Sequence, residues 1–316
     1  MKYFLFPTHS NLGLAQKIIS KSKHLTQGKC KITHYQDGEI LVHINGQVKH
    51  KKVYVLGATF PPAENVLELI ILINTLKENG ARKVVALIPY FGYGKQDRKK
   101  YSGDAMSAKL MANIIELAGA SEIIALDLHS QLVKKYFSKK ITNLSANQLL
   151  AEYFLHCHCE ERPEEATWQS RRKLNNDWTV IAPDKGGIKR AQAFAKHLKI
   201  KNIAYIEKFR PQIDQSKIVN LTGDVKGKNC IIVDDLSQTG GTLIEGAKFL
   251  KKKGAGDIYV VLTHLVATGP VVKNLNKEKN IKEIIITDSI KLPVGIRKNK
   301  KFGVVSCAEL FSHKLN

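Results

Sequence analysis

The sequence predicts an α/β fold with mainly parallel sheets flanked by helices, and three observations carry the prediction. Short runs rich in β-branched residues recur along the whole chain, at 53–56, 84–88, 123–126, 180–182, 203–206, 230–233, 259–263 and 284–287. They are apolar without alternation, as strands covered on both faces are. Between them lie segments of helical period at 61–79, 105–118 and 241–253. Finally, Gly80, Gly119 and Gly254 stand where these helices should stop, and proline opens the first. Strand-helix units fill both halves, so we expect two similar α/β domains, 1–146 and 147–316. The stretch 156–173 breaks the pattern with an acidic cluster followed by a basic one, and reads as an insertion into a loop of the second domain. His156, Cys157, His158 and Cys159 open it, but ligands so close in sequence do not easily converge on one tetrahedral ion, which favours a solvated surface excursion.

Composition narrows the class. With 316 residues the chain is long enough for two packed domains. No apolar run approaches the roughly 20 residues that cross a bilayer, and the short apolar start interrupted by Pro7 does not make a secretory signal. A soluble protein without a membrane partner is expected. Five scattered cysteines form no disulfide framework and fit a reduced cytoplasm. The net charge of +22 attracts anions, from sugar phosphates and nucleotides to RNA. Its lysines stand singly or in pairs without interleaved aromatics, which reads as a solvated surface and not as dedicated nucleic-acid binding.

Chemistry concentrates in Cys230-Ile-Ile-Val-Asp-Asp-Leu-Ser-Gln-Thr-Gly-Gly-Thr-Leu, a buried-type strand that ends in two carboxylates and turns through two glycines into a helix. Ligands gather beyond the carboxyl ends of strands in open α/β sheets, and a helix start that glycine leaves accessible offers N–H groups to a phosphate. Thr239, Gly240, Gly241 and Thr242 supply that cradle. Asp234 and Asp235 are placed to accept hydrogen bonds from vicinal sugar hydroxyls or to ligate Mg²⁺. An ordinary strand-turn-helix would account for one Asp and one Gly but hardly for the whole series.

This loop resembles the phosphoribosyl-diphosphate loop shared by type I phosphoribosyltransferases and ribose-phosphate pyrophosphokinases. Four further segments single out the pyrophosphokinases. Pro89-Tyr-Phe-Gly-Tyr-Gly-Lys-Gln-Asp-Arg-Lys is similar to that family's Pro-Tyr-Phe-Gly-Tyr-Ala-Arg-Gln-Asp-Arg, and Tyr35-Gln-Asp-Gly-Glu resembles its Phe-x-Asp-Gly-Glu loop. Asp127-Leu-His is the third, and Val180-Ile-Ala-Pro-Asp-Lys-Gly-Gly-Ile-Lys-Arg-Ala resembles its Ser-Pro-Asp-x-Gly-Gly stretch. The motifs keep the family's order and span nearly the whole chain outside 156–173 and a short, divergent C-terminus.

The resemblance implies two phosphoribosyltransferase-like domains and a reaction in which the 1-hydroxyl of ribose 5-phosphate takes the diphosphoryl group of ATP, releasing AMP. It implies Lys208 and Arg210 as the catalytic cations, with Arg210 also touching the sugar phosphate. Tyr35, Asp37, Gly38, Glu39, Lys95, Gln96, Arg98 and His129 are implied at ATP, and Asp234, Asp235, Gln238, Thr239, Gly240, Gly241 and Thr242 at ribose 5-phosphate. His129 and Asp184 are the implied ligands of Mg²⁺. A homo-oligomer whose ATP site is shared between subunits follows from the same match. On the residues alone, Asp-Gly at 37–38 is also a hairpin-turn signal, and His129 after a strand is also an ordinary surface histidine.

Departures are legible too. Lys95 stands where the family usually has Arg, so a point charge replaces a planar fork. Gln238 replaces an acid that many members carry, and Tyr35 replaces Phe. The segment after Arg98 resembles the shorter members more than the ADP-regulated ones. Three rival readings share part of this pattern: a phosphoribosyltransferase, a silent regulatory relative, and an RNA binder whose affinity would fall steeply with salt. The cations at 208 and 210 count against silence, and the motifs at 35, 96, 129 and 208 are not needed by a transferase.

Overall fold

A computed structural model describes residues 2–158, 174, 177–212, 215–267 and 270–315, with 208–212 and 215–217 as backbone. The chain forms two units: Met1–Ser145 with Ser289–Lys291 and Ser306–Asn316, and Ala146–Asp288 with Leu292–Val305. The end of the stretch read as domain 147–316 therefore groups with the first unit.

The first unit opens with β1 (Tyr3–Pro7), α1 (Leu12–Ser20), β2 (Leu25–Gln27), β3 (Cys30–His34), β4 (Ile40–Ile44) and β5 (Lys52–Leu56). It continues through α2 (Glu64–Glu78), β6 (Lys83–Ile88), α3 (Ser107–Leu117), β7 (Glu122–Leu126) and β8 (Lys140–Leu144). Six strands pair in the order β2-β1-β5-β6-β7-β8, every pair parallel. Val53, Val55, Val84, Ala86, Ile88, Ile123 and Ala125 form one core with Leu69, Leu72, Ile73 and Leu76 of α2 and Ala112 and Ile115 of α3. Strands buried this completely read as continuous apolar runs, which is why the sequence exposes them. The antiparallel pair β3-β4 stands apart as a two-stranded hairpin.

Gly92, in the loop after β6, is there for close approach. A Cβ on it would lie 2.2 Å from the Thr59 carbonyl oxygen, a backbone atom that cannot turn aside, and its own N–H donates to Thr59 Oγ1 at 2.7 Å. We expect Gly92→Ala to lower stability by about 1–3 kcal/mol, the usual cost of overpacking. A urea titration of the first unit's transition checks it, and an unchanged midpoint contradicts it.

The second unit contains α4 (Asn147–His158), β9 (Trp178–Ala182), α5 (Ile188–Leu198), β10 (Ile203–Gln212), β11 (Gln215–Thr222) and β12 (Asn229–Ser237). There follow α6 (Gly241–Lys252), β13 (Ile258–Leu265), α7 (Val271–Lys277), β14 (Glu283–Thr287) and β15 (Phe302–Val305). Its seven-stranded sheet runs β11-β10-β9-β12-β13-β14-β15, and only β10-β11 is antiparallel. The last helix, α8 (Ala308–Leu315), returns to the first unit and packs on α1, where Lys21 lies 3.5 Å from Glu309.

Two expectations change here. Residues 156–158, read as the start of an insertion, are the last turn of α4, and His158 Nε2 pairs with Glu283 Oε2 at 2.6 Å beside Phe154 and Tyr259. The remainder, 159–173, lies outside the described residues. The predicted helix at 61–79 begins later, at Glu64, because two consecutive prolines precede it. The glycine stops hold: Gly80, Gly119 and Gly254 all take positive φ just past a helix end. Among the described residues no helix is long and apolar enough to cross a membrane.

Candidate active site

In the second unit the chain leaves β9 toward β10 on one side, while β12 feeds β13 on the other. The crevice at the carboxyl ends of β9 and β12 is therefore the point where the strand order reverses, the usual ligand position in open α/β sheets. The residues expected there are present. Asp234 and Asp235 end the buried run of β12, and Gly240, with φ +78°, caps α6. A Cβ on Gly240 would lie 3.0 Å from Leu275, so both conformation and space call for glycine. Thr239 Oγ1 accepts from Gly241 N at 3.3 Å, which closes the turn, while Gln238, Thr239 and Thr242 are exposed at its rim.

Asp234 and Asp235 are a tightly held pair. Asp235 N donates to Asp234 Oδ1 at 2.9 Å, and Arg190 Nη1 lies 3.2 Å from Asp234 Oδ1 and 3.3 Å from Asp235 Oδ1. Their side chains are only 19% and 5% exposed. Burial, with the adjacent Asp235 carboxylate second, pushes the Asp234 carboxyl well above the ordinary carboxylate range, against the pull of Arg190. Such a site is built to accept hydrogen bonds from a diol that brings its own donors.

Asp184 follows β9 and caps the next turn, its Oδ1 accepting from Gly187 N at 3.0 Å. Lys185, one residue on, lies 3.5 Å from Glu207 of β10. The backbone at Lys208 pairs with Ile218 of β11, and the register slips between Glu207 and Lys208, a bulge of the kind that re-aims side chains beside active sites. The side chains of Lys208 and Arg210 lie outside the described residues.

The first unit holds the remaining candidates. Tyr35, Asp37, Gly38 and Glu39 form the exposed turn between β3 and β4, where Asp37 Oδ1 accepts from Glu39 N at 3.1 Å. The structure thus makes this segment a hairpin turn whose acidic tip faces solvent. Lys95, Gln96 and Arg98 are exposed in the loop after β6, and Ser107 Oγ donates to Gln96 Oε1 at 2.7 Å. His129 is exposed in the loop after β7, and each of these two loops carries a non-glycine residue in the left-handed region, Tyr93 at φ +61° and Asp127 at φ +39°. Backbone held there costs about 1–3 kcal/mol and is kept where a loop must present particular groups.

Two residues escaped the sequence reading. Asp97, buried between exposed Gln96 and Arg98, ties both loops together: its carboxylate accepts from Ser130 Oγ and from Arg98 Nε at 3.2 Å, and its carbonyl accepts from the Tyr136 hydroxyl. Although burial pulls the other way, the hydrogen bonds from Ser130 and Arg98 leave this carboxyl below the ordinary range. Arg190, on α5, is the other. Both stand inside the family-like motifs: Asp97 between Gln96 and Arg98, and Arg190 further along the chain from Asp184 with no expected ligand beside it.

Among the described residues no three His, Cys, Asp or Glu side chains converge as a metal cage. Mg²⁺ needs none: it binds through one or two protein groups and completes its octahedron with water and phosphate oxygens. Asp184, a half-buried carboxylate at the strand-order reversal, fits that use.

Comparison with known proteins places the chain. Residues 3–119 match the family described as the N-terminal domain of ribose phosphate pyrophosphokinase, and residues 159–298 match the phosphoribosyl transferase domain. The ribose-phosphate pyrophosphokinase 1 of Listeria monocytogenes is 38% identical over 92% of this chain and 86% of its own. The chain belongs to the ribose-phosphate pyrophosphokinase family. A second ribose-phosphate pyrophosphokinase, from Fusobacterium nucleatum, is 35% identical over 99% of this chain and 93% of its own. The crystal structure of phosphoribosylpyrophosphate synthetase from Mycobacterium smegmatis superposes with a TM-score of 0.86 at 26% identity, covering 100% of this chain and 98% of that one. The α/β architecture expected from the strand runs is thus that of a ribose-phosphate pyrophosphokinase.

Proposed function

We infer that the protein transfers the diphosphoryl group of ATP to ribose 5-phosphate, giving 5-phosphoribosyl 1-diphosphate and AMP for nucleotide biosynthesis. The observation that carries this reading is the buried Asp234-Asp235 pair beside the glycine turn of α6, in a chain that ribose-phosphate pyrophosphokinases match over more than nine tenths of its length. The sugar hydroxyls donate to the carboxylate pair, and the 5-phosphate takes the N–H groups of the turn 239–242. The 1-hydroxyl oxygen forms a bond to the β-phosphorus of ATP. The bond from that phosphorus to the α–β bridging oxygen breaks, AMP leaves with that oxygen, and the hydroxyl proton passes to solvent.

Lys208 and Arg210 steady the charge that spreads over the transferred oxygens. Tyr35, Asp37 and Glu39 hold the adenosine end, in a homo-oligomer whose neighbouring subunit supplies that hairpin. Lys95, Gln96 and Arg98 hold the phosphates. The resemblance gives Mg²⁺ to His129 of the first unit and to Asp184 of the second; when bound it would neutralise phosphate charge. A reduced cytoplasm is the proposed setting, consistent with Cys30, Cys157, Cys230 and Cys307, the described cysteines, forming no disulfide with one another.

Purified protein with ATP, ribose 5-phosphate and Mg²⁺ should release AMP in step with phosphoribosyl diphosphate on ion-exchange chromatography. AMP without the sugar product, or neither from a folded sample, overturns the reading and turns attention to transferase activity.

A further inference from the structure

The geometry points to Arg190 as a positioning residue for the sugar: its Nη1, set between Asp234 and Asp235, holds both carboxylates in the arrangement that receives the ribose hydroxyls. The inference rests on the reading that loop 234–242 takes ribose 5-phosphate.

Two adjacent carboxylates at the end of a buried strand repel each other more strongly than they would in water, because little solvent screens them. Arg190 Nη1 answers both at once, 3.2 Å from Asp234 Oδ1 and 3.3 Å from Asp235 Oδ1. Its side chain is 21% exposed, so the contact is sheltered from solvent as a surface ion pair is not. The arginine is also well anchored. It lies in the first turn of α5, just beyond the tight turn Lys185–Gly187 that Asp184 caps through Gly187 N. Because β9 and β12 are parallel neighbours, the bridge joins the turn after one strand to the carboxylates that end the other. Arg190 therefore acts on substrate through the carboxylate pair. A guanidinium suits the task, since it stays charged and presents several donors in a fixed fork.

The test is a comparison of KM values in Arg190→Met and Arg190→Lys beside the unaltered protein. Loss of one charge-assisted contact of this kind should raise KM for ribose 5-phosphate by about tenfold or more in Arg190→Met. KM for ATP should move by less than about twofold, because the interaction lost serves the sugar alone. Arg190→Lys should recover part of the sugar affinity, as charge returns without the fork. A merely structural arginine would raise both KM values together or lower kcat alone, and either result, or an unchanged sugar KM, overturns the inference. Should Arg190→Met fail to fold, the same KM comparison on Arg190→Lys decides. If the unaltered protein releases no AMP, the reaction reading falls separately. Calorimetric titration with ribose 5-phosphate then judges Arg190 through Kd, and equal affinity in variant and parent rejects its role.

Discussion

Asp234→Asn is expected to raise the melting temperature of the free protein at pH 8 while removing nearly all turnover with ribose 5-phosphate. The native Asp234 carboxyl titrates well above its ordinary value, chiefly through burial and next through the Asp235 charge. Below the ordinary carboxylate pKa both folded and unfolded chains hold the proton, and its burial costs the fold nothing extra. As pH rises, the unfolded chain releases the proton first, so stability falls until the folded-state pKa is passed. Asparagine carries no such charge and escapes the loss, while Asp235 remains to pair with Arg190. Each kcal/mol recovered should appear as about 2–4 °C in a chain of this size, and the gain should vanish toward acid pH. The amide also places a donor where a sugar hydroxyl must donate, so kcat/KM for ribose 5-phosphate should fall about 10²-fold or more. Scanning calorimetry at pH 5 and pH 8 with steady-state kinetics checks both halves. A variant less stable at pH 8 than its parent would show that burying the Asp234 charge does not carry the cost described.

Lys208→Ala should lower kcat about 10²–10³-fold while leaving ATP affinity nearly unchanged. A cation aimed at charge that develops during transfer acts mostly in the transition state, so its loss appears in turnover and not in ground-state binding. The β10-β11 ladder slips at Glu207/Lys208, directly after a residue whose carboxylate meets Lys185 of the Asp184 turn. Nucleotide binding by calorimetry, set beside single-turnover rates, separates the two effects. A parallel loss of ATP affinity would make Lys208 a binding residue.

How much of this was legible in the sequence depended on the range of the interaction. Most central parallel strands could be read directly, since burial on both faces leaves uninterrupted apolar runs such as Ile123 to Leu126, although β1, which lies between β2 and β5, was not among them. Strands that alternate or sit at an edge were missed. In β4 the pattern Ile40, Val42, Ile44 is only half-buried, and β11 extends the sheet through polar residues such as Asn220. The loop 234–242 was legible because its chemistry is contiguous. Arg190 and Asp97 were not, because their partners lie 44 and 33 residues away and only folding brings them together. The same holds for α8, whose sequence gives no sign that it belongs with α1.

That return of α8 sets an order of events during synthesis. The first unit's early strands leave the ribosome long before residues 308–315, and the whole of the second unit is made in between. Until α8 arrives, the part of the surface of α1 that it finally covers has no partner, although every other element of that unit is already present. The unit begun first is thus the last to be completed, and the nascent chain must carry an open apolar flank through most of translation. Cutting the chain before residue 306 should accordingly harm the unit at its other end.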